Sequence, residues 1–199
     1  MSEQGSYRPL SYFQLMEVSL RELLTEKGIL SGEQIDAEVE NMRSRDPTRG
    51  AFVVASAWTD PAFKARLLAN GTAACQELGL DVPALKLVVV ENTPEVHNAI
   101  VCTLCSCYPR MLLGLPPDWY KSRPYRSRMV REPRLVLEEF GLKLDEKVQV
   151  RVHDSTADMR YLVLPMRPQG TDGWSEERLA ALVTRDAMIG VSVPRAPRE

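Results

Sequence analysis

The first forty residues of the chain carry apolar side chains at helical spacing. One stripe consists of Leu15, Val18, Leu20, Leu23 and Leu24. Such spacing places the side chains on one face of an α-helix. Gly28 ends this helix, and Ser31 with Gln34 three residues later is the capping pattern that begins a second one. The pattern therefore predicts two consecutive helices.

Polar and turn-forming residues fill positions 41–50 and separate these helices from the rest of the chain. We therefore expect an N-terminal helical arm over residues 1–50 and a second domain over residues 51–199. With 199 residues, of which 44% are hydrophobic, the chain is long enough to bury one sizeable core.

The second domain mixes helical and strand patterns. Asp60-Pro61 begins a helix that we expect to run to about Leu78, with Gly79 following its last turn. Further helices are predicted at 119–125, at 131–140 and, as the last helix, from Ser175 onward. Apolar and alternating runs predict strands at 85–90, 99–102, 147–153 and 161–165. Because neither a glycine-rich phosphate loop nor an internal repeat is present, the expected class is α+β or layered α/β rather than doubly wound.

Composition excludes several classes of partner. The 25 basic and 27 acidic residues leave a formal net charge of -2, which gives no general attraction to nucleic acid or anionic membranes. The basic run 123–134 is interleaved with glutamates and lacks stacking aromatics, so it indicates a salt-bridged helix face. No stretch approaches the roughly 20 apolar residues of a membrane span, and we expect a cytoplasmic protein.

Three cysteines lie within six residues: Cys102, Cys105 and Cys107, with only Ser106 between the last two. Neighbours this close do not staple a fold through disulfides. Three thiolates together with the main-chain nitrogens of Ser106 and Cys107 would form a strongly donating ligand set. Such a set favours a low-spin trivalent ion over tetrahedral zinc and leaves a sixth position open for Lewis-acid chemistry.

A structural zinc site completed by Cys75, His97 or His153 is the simplest alternative for this cysteine loop, residues 102–107. Zinc sites of this kind usually find a second ligand pair at similar spacing, and the sequence offers none. Cys75 lies in a helical context and fits a buried small side chain, and the two histidines are isolated. We therefore expect none of these three to be a ligand.

Four segments resemble the α subunit of the cobalt-type nitrile hydratases. They are Val101–Pro109, which contains the cysteine loop, Leu113–Lys121, Tyr125–Arg134 and Val183–Val191. The resemblance begins near Arg21–Leu30 and continues almost to the C-terminus. It implies a helix–sheet–sheet–helix catalytic domain and a helical arm that embraces a β subunit.

The resemblance also implies the chemistry of the site. One Co³⁺ per α subunit would be held by Cys102, Cys105, Cys107 and the amides of Ser106 and Cys107, with Thr103 as the marker of cobalt rather than iron. The equivalents of Cys105 and Cys107 are oxidised to sulfinic and sulfenic acid in the family. Cys107 and Ser106 are the candidate catalytic residues for hydrating a nitrile to its amide.

Partners follow from the same resemblance. A β subunit, in one chain or two, is expected to complete the pocket with two arginines that hold the oxidised sulfurs. An activator or metallochaperone is expected to insert the cobalt. Arg160 matches a family arginine that bonds to the β subunit, and it is our candidate interface residue.

Arg110 departs from the family, which commonly has an aromatic residue after Tyr108-Pro109. As a substrate-binding residue it would suit a polar nitrile, such as the nucleoside of toyocamycin-type nitrile hydratases; it could equally be a surface or interface arginine. As an anion hook it would suit thiocyanate, since the γ subunit of thiocyanate hydrolase has a similar arginine. That γ-type subunit and a non-catalytic metal-carrying or maturation protein are the alternative functions. The glutamine-bearing loop of many members is also missing from residues 79–85.

Overall fold

The computed structural model describes residues 9–82 and 86–196. The chain divides into two compact units, the first ending at Ser44 and the second beginning at Arg45. None of the described helices is long and apolar enough to cross a bilayer.

The first unit contains the two predicted helices, α1 (Tyr12–Glu26) and α2 (Gly32–Arg43). The capping box expected at Ser31 is present: its hydroxyl accepts from the Gln34 amide at 3.1 Å, and the Gln34 side chain accepts from the Ser31 amide at 2.8 Å. A hydrogen bond of 2.8 Å from Arg21 Nη2 to Asp36 Oδ1 joins the helices. No residue of α1 or α2 is buried.

The second unit opens with three helices, α3 (Thr48–Thr59), α4 (Pro61–Ala69) and α5 (Gly71–Glu77). The prediction of a turn-rich segment through Gly50 was wrong at its end, because α3 begins at Thr48 and Gly50 is already buried in it. Apart from Phe52, the stretch from Gly50 to Ala57 is buried, so packing rather than polarity decides its conformation.

α4 begins as predicted, with Pro61 in its first turn and the Asp60 carboxylate accepting from the Phe63 amide at 3.1 Å. The expectation of one helix to Leu78 was wrong. Asn70 adopts an extended conformation (φ -151°) and its side chain caps α5 by accepting from the Ala73 amide at 3.1 Å. Gly79 then follows α5 with φ +71°, as the sequence predicted.

Four strands form two small parallel sheets among the described residues: β1 (Lys86–Glu91) pairs with β4 (Met159–Leu164), and β2 (Val96–Val101) pairs with β3 (Gln149–Asp154). All four predicted strands are present. β2 begins three residues earlier than expected, and Leu85, predicted to start β1, lies outside the described residues. Because Val101 pairs with Asp154, the carboxyl ends of β2 and β3 lie side by side.

The remaining helices are α6 (Arg110–Leu113), α7 (Asp118–Lys121), α8 (Arg123–Met129), α9 (Pro133–Glu139), α10 (Glu176–Ala180) and α11 (Arg185–Ile189). The helix predicted at 119–125 is two helices, since Ser122 is extended and its hydroxyl caps α8 at the Tyr125 amide. Ser175 caps α10 as expected, but α11 rather than α10 is the last helix of the described chain.

The core lies where helices cover the sheets. α4 and α5 contact β1, α11 contacts β4 and α9 contacts β3. Val53, Ile100 and Leu162, from a helix and from one strand of each sheet, are fully buried in one hydrophobic cluster. The mixed α+β class predicted from the sequence is therefore confirmed.

Candidate metal centre

The cysteine loop begins immediately after β2 and is fixed there by the neighbouring strand. Asp154, at the end of β3, accepts from the Thr103 amide at 2.9 Å and from the Thr103 hydroxyl at 2.5 Å. The parallel pairing of β2 with β3 places this carboxylate beside the loop. The first turn of the loop is therefore bound to the end of β3.

The three predicted sulfurs converge. The Sγ atoms of Cys102 and Cys105 are 3.4 Å apart, those of Cys105 and Cys107 are 3.3 Å apart, and all three lie within 4.8 Å of one another. The Cys105 amide also donates to Cys102 Sγ at 3.2 Å. Cys102 is buried, Cys105 is exposed and Cys107 is intermediate. The three thiols thus range from the protein interior to the surface.

Two of the sulfur–sulfur distances are those expected for metal ligands at a right angle. For a metal–sulfur bond of about 2.3 Å, two sulfurs at a right angle lie about 3.3 Å apart, and two at a tetrahedral angle about 3.8 Å. The 3.4 Å and 3.3 Å separations match the first value. Two of the three sulfur pairs thus have the separation of ligands at a right angle, and all three sulfurs lie close enough together to share one metal ion.

Two side chains from the helices that follow hold the far end of the loop. Arg126 Nη1 in α8 donates to the Cys105 carbonyl oxygen at 2.6 Å. The Tyr120 hydroxyl in α7 donates to the Cys107 carbonyl oxygen at 2.9 Å. Neither contact could be predicted from the sequence, because a helical pattern does not show which loop a side chain reaches.

Hydrogen bonding and burial shift the pKa values of the two outer thiols in opposite directions. The pKa of Cys105 is lowered to about 7, first by the Cys107 thiol, then by the Cys102 thiol and by the amides of Ser106 and Cys107, all of which stabilise its thiolate. Burial raises the pKa of Cys107 to about 12, although the positive charge of Arg160 acts in the opposite direction. Cys105 is therefore the thiol that ionises most readily of the pair.

A cavity of about 370 Å³ opens over the outer part of the loop. Its lining consists of Arg45, Cys105, Ser106, Cys107, Tyr108, Arg110, Met111 and Arg160. The structure thus brings Arg110, from α6, and Arg160, from β4, to the same cavity as the loop. Arg45 was not foreseen, because it lies in a segment that the sequence marked only as polar.

The Arg160 side chain is hydrogen-bonded to the protein main chain rather than extended into solvent. Its guanidinium donates to the carbonyl oxygens of Thr156 and Ala157, the latter at 2.9 Å, in the turn between β3 and β4. Its positive charge acts to lower the pKa of Cys107. Its predicted contact with a β subunit stays a prediction.

The residues proposed to complete a zinc site have other partners. His97 Nε2 donates to the Gly190 carbonyl at 2.7 Å, and His153 Nε2 donates to Asn98 Oδ1 at 2.8 Å. Cys75 is fully buried, which raises the pKa of its thiol to about 12. Among the described residues, the cluster able to hold a metal contains the three loop cysteines and no histidine.

Comparison with known proteins gives consistent matches. The family model described as "Nitrile hydratase, alpha chain" matches residues 11–192. The cobalt-containing nitrile hydratase subunit alpha of Pseudonocardia thermophila is 54% identical over 181 residues, covering 89% of this chain and 89% of that protein. The thiocyanate hydrolase subunit gamma of Thiobacillus thioparus is 43% identical over 198 residues, covering 94% and 82%.

A solved structure of a nitrile hydratase has a similar fold. The Fe-type nitrile hydratase from Comamonas testosteroni Ni1, a double mutant, superposes with a TM-score of 0.88 at 47% identity, covering 96% of this chain and 94% of that one.

Proposed function

The chain belongs to the nitrile hydratase α-chain family, and from this premise we propose that it is the metal-binding subunit of an enzyme that hydrates a nitrile to its amide. The observation that carries this function is the convergence of three cysteine sulfurs at the end of a parallel sheet, under an open cavity. Nitrile hydratases are hydro-lyases, and the subunit is therefore part of an enzyme.

The metal is one cobalt ion per α subunit, as in the cobalt-containing relatives. Cys102, Cys105 and Cys107 would hold it through sulfur, and Ser106 and Cys107 through their main-chain nitrogens. The convergence of the three sulfurs within 4.8 Å of one another supports the sulfur part of this ligand set. A bound trivalent cobalt supplies a Lewis acid for the hydration.

Oxidation of the two outer cysteines is part of the proposal. Susceptibility to oxidation follows thiolate character and exposure. Cys105 has the lowered pKa and is exposed, and Cys107 is partly exposed, whereas Cys102 is fully buried. The exposure of these thiols fits the pattern that the family resemblance implies, and on that basis we assign a sulfinic acid to Cys105, a sulfenic acid to Cys107 and an unmodified thiolate to Cys102.

Because Cys107 lines the cavity, a sulfenate oxygen on its sulfur could attack the nitrile carbon, with water then releasing the amide and restoring the sulfenate, or could orient a water that attacks directly. Arg110, on the cavity wall, can orient a polar substituent of the substrate. The Ser106 main chain fixes the spacing between the two oxidised sulfurs. The chain's own residues thus provide a nucleophile and a positioning group.

A separate β subunit completes this site. The side chains described above as binding the loop contact its main chain or Thr103 rather than its sulfurs: Asp154 accepts from Thr103, and Tyr120 and Arg126 donate to carbonyl oxygens. Anionic sulfur oxygens beside an open cavity require further charged donors, which a partner chain can supply. Arg160, beside the cavity, is the residue that we place at this interface, and we propose that an activator protein inserts the cobalt.

Elemental analysis of the complex, produced with its β subunit and activator, is expected to give about one cobalt per α subunit. Mass spectrometry of the peptide containing residues 102–107 should show oxygen added to Cys105 and Cys107. The same preparation should convert a nitrile to its amide. Stoichiometric zinc with unmodified thiols in an active complex would contradict the proposal, and a cobalt-loaded complex without turnover would support a metal-carrying protein instead.

A thiocyanate hydrolase γ-type subunit is the second candidate. The observation in its favour is the cationic lining of the cavity, where Arg45, Arg110 and Arg160 surround the outer cysteines. An anionic substrate would be attracted by these charges. The higher identity to nitrile hydratase subunits, 54% against 43%, keeps this function second.

Arg110→Trp distinguishes the substrate classes. If Arg110 contacts substrate, this change removes a charge-assisted hydrogen bond worth roughly 1.5–3 kcal/mol, which corresponds to about a ten- to hundredfold loss in kcat/KM. Activity on a polar or anionic substrate should fall, and activity on benzonitrile should rise.

Assays with benzonitrile, a cyano-substituted nucleoside and thiocyanate measure the difference. Selective loss on the nucleoside favours a specialised nitrile hydratase, and selective loss on thiocyanate favours the second candidate. An equal response on all three would show that Arg110 acts through structure alone.

A further inference from the structure

Arg126 reaches the cysteine loop from α8. Its Nη1 donates to the Cys105 carbonyl oxygen at 2.6 Å, the shorter of the two side-chain contacts that hold the far end of the loop. Its Nε is buried and meets no hydrogen-bond acceptor among the described residues. The guanidinium is thus partly desolvated with its charge directed at one carbonyl of the loop, which strengthens the interaction.

The carbonyl that Arg126 contacts is part of the peptide group whose nitrogen is a proposed metal ligand. The Cys105 carbonyl oxygen and the Ser106 nitrogen belong to one peptide group, and resonance couples them. A peptide nitrogen that binds a metal does so after its proton has left to solvent. The negative charge is then shared with the carbonyl oxygen of the same group.

We propose that Arg126 is a positioning residue that stabilises the metal-bound form of the Cys105–Ser106 peptide. Its guanidinium carries a permanent positive charge and forms a charge-assisted hydrogen bond to the oxygen on which negative charge accumulates. The inference rests on the proposed function, since it requires the Ser106 nitrogen to be a ligand. It assigns Arg126 to metal retention rather than to contact with substrate.

The neighbouring contact shows why the effect is specific to Arg126. Tyr120 donates to the Cys107 carbonyl oxygen, which shares its peptide group with the Tyr108 nitrogen. That nitrogen is outside the proposed ligand set, and the tyrosine is neutral. Arg126 therefore combines a full charge with the peptide group of a ligand.

Arg123 provides a matched control. It lies at the start of the same helix, is exposed, and lines with Arg126 and Thr103 a groove of about 710 Å³. Its removal changes the net charge by the same amount. A difference between the Arg126 and Arg123 variants in cobalt retention therefore reports the contact with the loop and not the change in net charge.

The test compares Arg126→Gln, Arg126→Lys and Arg123→Gln in the complex produced with its β subunit. Glutamine keeps a donor but loses the charge. The rate of cobalt loss to an excess chelator should rise about tenfold or more in Arg126→Gln, given the usual strength of hydrogen bonds to charged groups. Arg126→Lys should recover part of the retention, Arg123→Gln should stay within about twofold of wild type, and the visible absorption of bound cobalt should shift in Arg126→Gln alone.

Equal rates of cobalt loss in wild type and Arg126→Gln would overturn the inference. So would equal acceleration in Arg126→Gln and Arg123→Gln, because net charge would then explain the result. Loss of the β subunit from Arg126→Gln, with unchanged cobalt retention in the remaining complex, would make Arg126 a docking residue and also overturn it. A wild-type complex without cobalt would instead overturn the proposed function.

Discussion

Cys105→Ala and Cys107→Ala are each expected to abolish both cobalt retention and amide formation in the complex with the β subunit. Each change removes one of three sulfurs that lie within 4.8 Å of one another, together with an atom that the proposed chemistry uses. Because trivalent cobalt requires the full strongly donating set, we expect loss to background rather than a graded decrease. Cobalt content per α subunit and the initial rate of amide formation measure the two effects.

Cys75→Ala is the matched control. Cys75 is fully buried in α5, apart from the cysteine loop, and its substitution leaves only a small cavity. The expected cost is about 1 kcal/mol of folding free energy, with cobalt content and activity close to wild type. Loss of cobalt from this variant comparable to that of the loop variants would place the fourth cysteine in the site and contradict the assignment.

Gly190→Ala is expected to destabilise the subunit by about 4 kcal/mol or more. Gly190 ends α11 with φ +90°, a conformation that costs other residues roughly 1–2 kcal/mol. A Cβ there would also come within 2.1 Å of the Asn98 carbonyl oxygen and 2.8 Å of Ala99 Cα. Both atoms belong to β2, so the strand that carries the cysteine loop would have to move.

Gly79→Ala measures the cost of the backbone conformation without the cost of a steric overlap. Gly79 has φ +71°, yet a Cβ built there meets nothing within 4 Å. Its substitution should cost only the conformational part, roughly 1–2 kcal/mol. The thermal midpoint and soluble yield of the complex measure both variants. Similar losses for the two glycines would show that the predicted overlap with β2 is relieved at little cost.

Local spacing determined much of the candidate site. The three cysteines lie so close in the chain that any compact loop brings their sulfurs together, and the end of an apolar strand sets where that loop begins. Caps were equally readable, because Asp60 and Ser31 act on amides only two or three residues away. The segment that contains the three cysteines also carried part of the resemblance to nitrile hydratase.

Tertiary structure decided what surrounds the loop. Asp154 reaches Thr103 because β2 and β3 pair in parallel, and Arg126 reaches Cys105 from a later helix. Arg45, Arg110 and Arg160 meet at one cavity from three separate parts of the chain. Periodicity records only which face of an element is apolar, and it carries no information on which elements pack together. The proposed ligands can therefore be predicted from the sequence, whereas the charged groups around them depend on packing between distant segments.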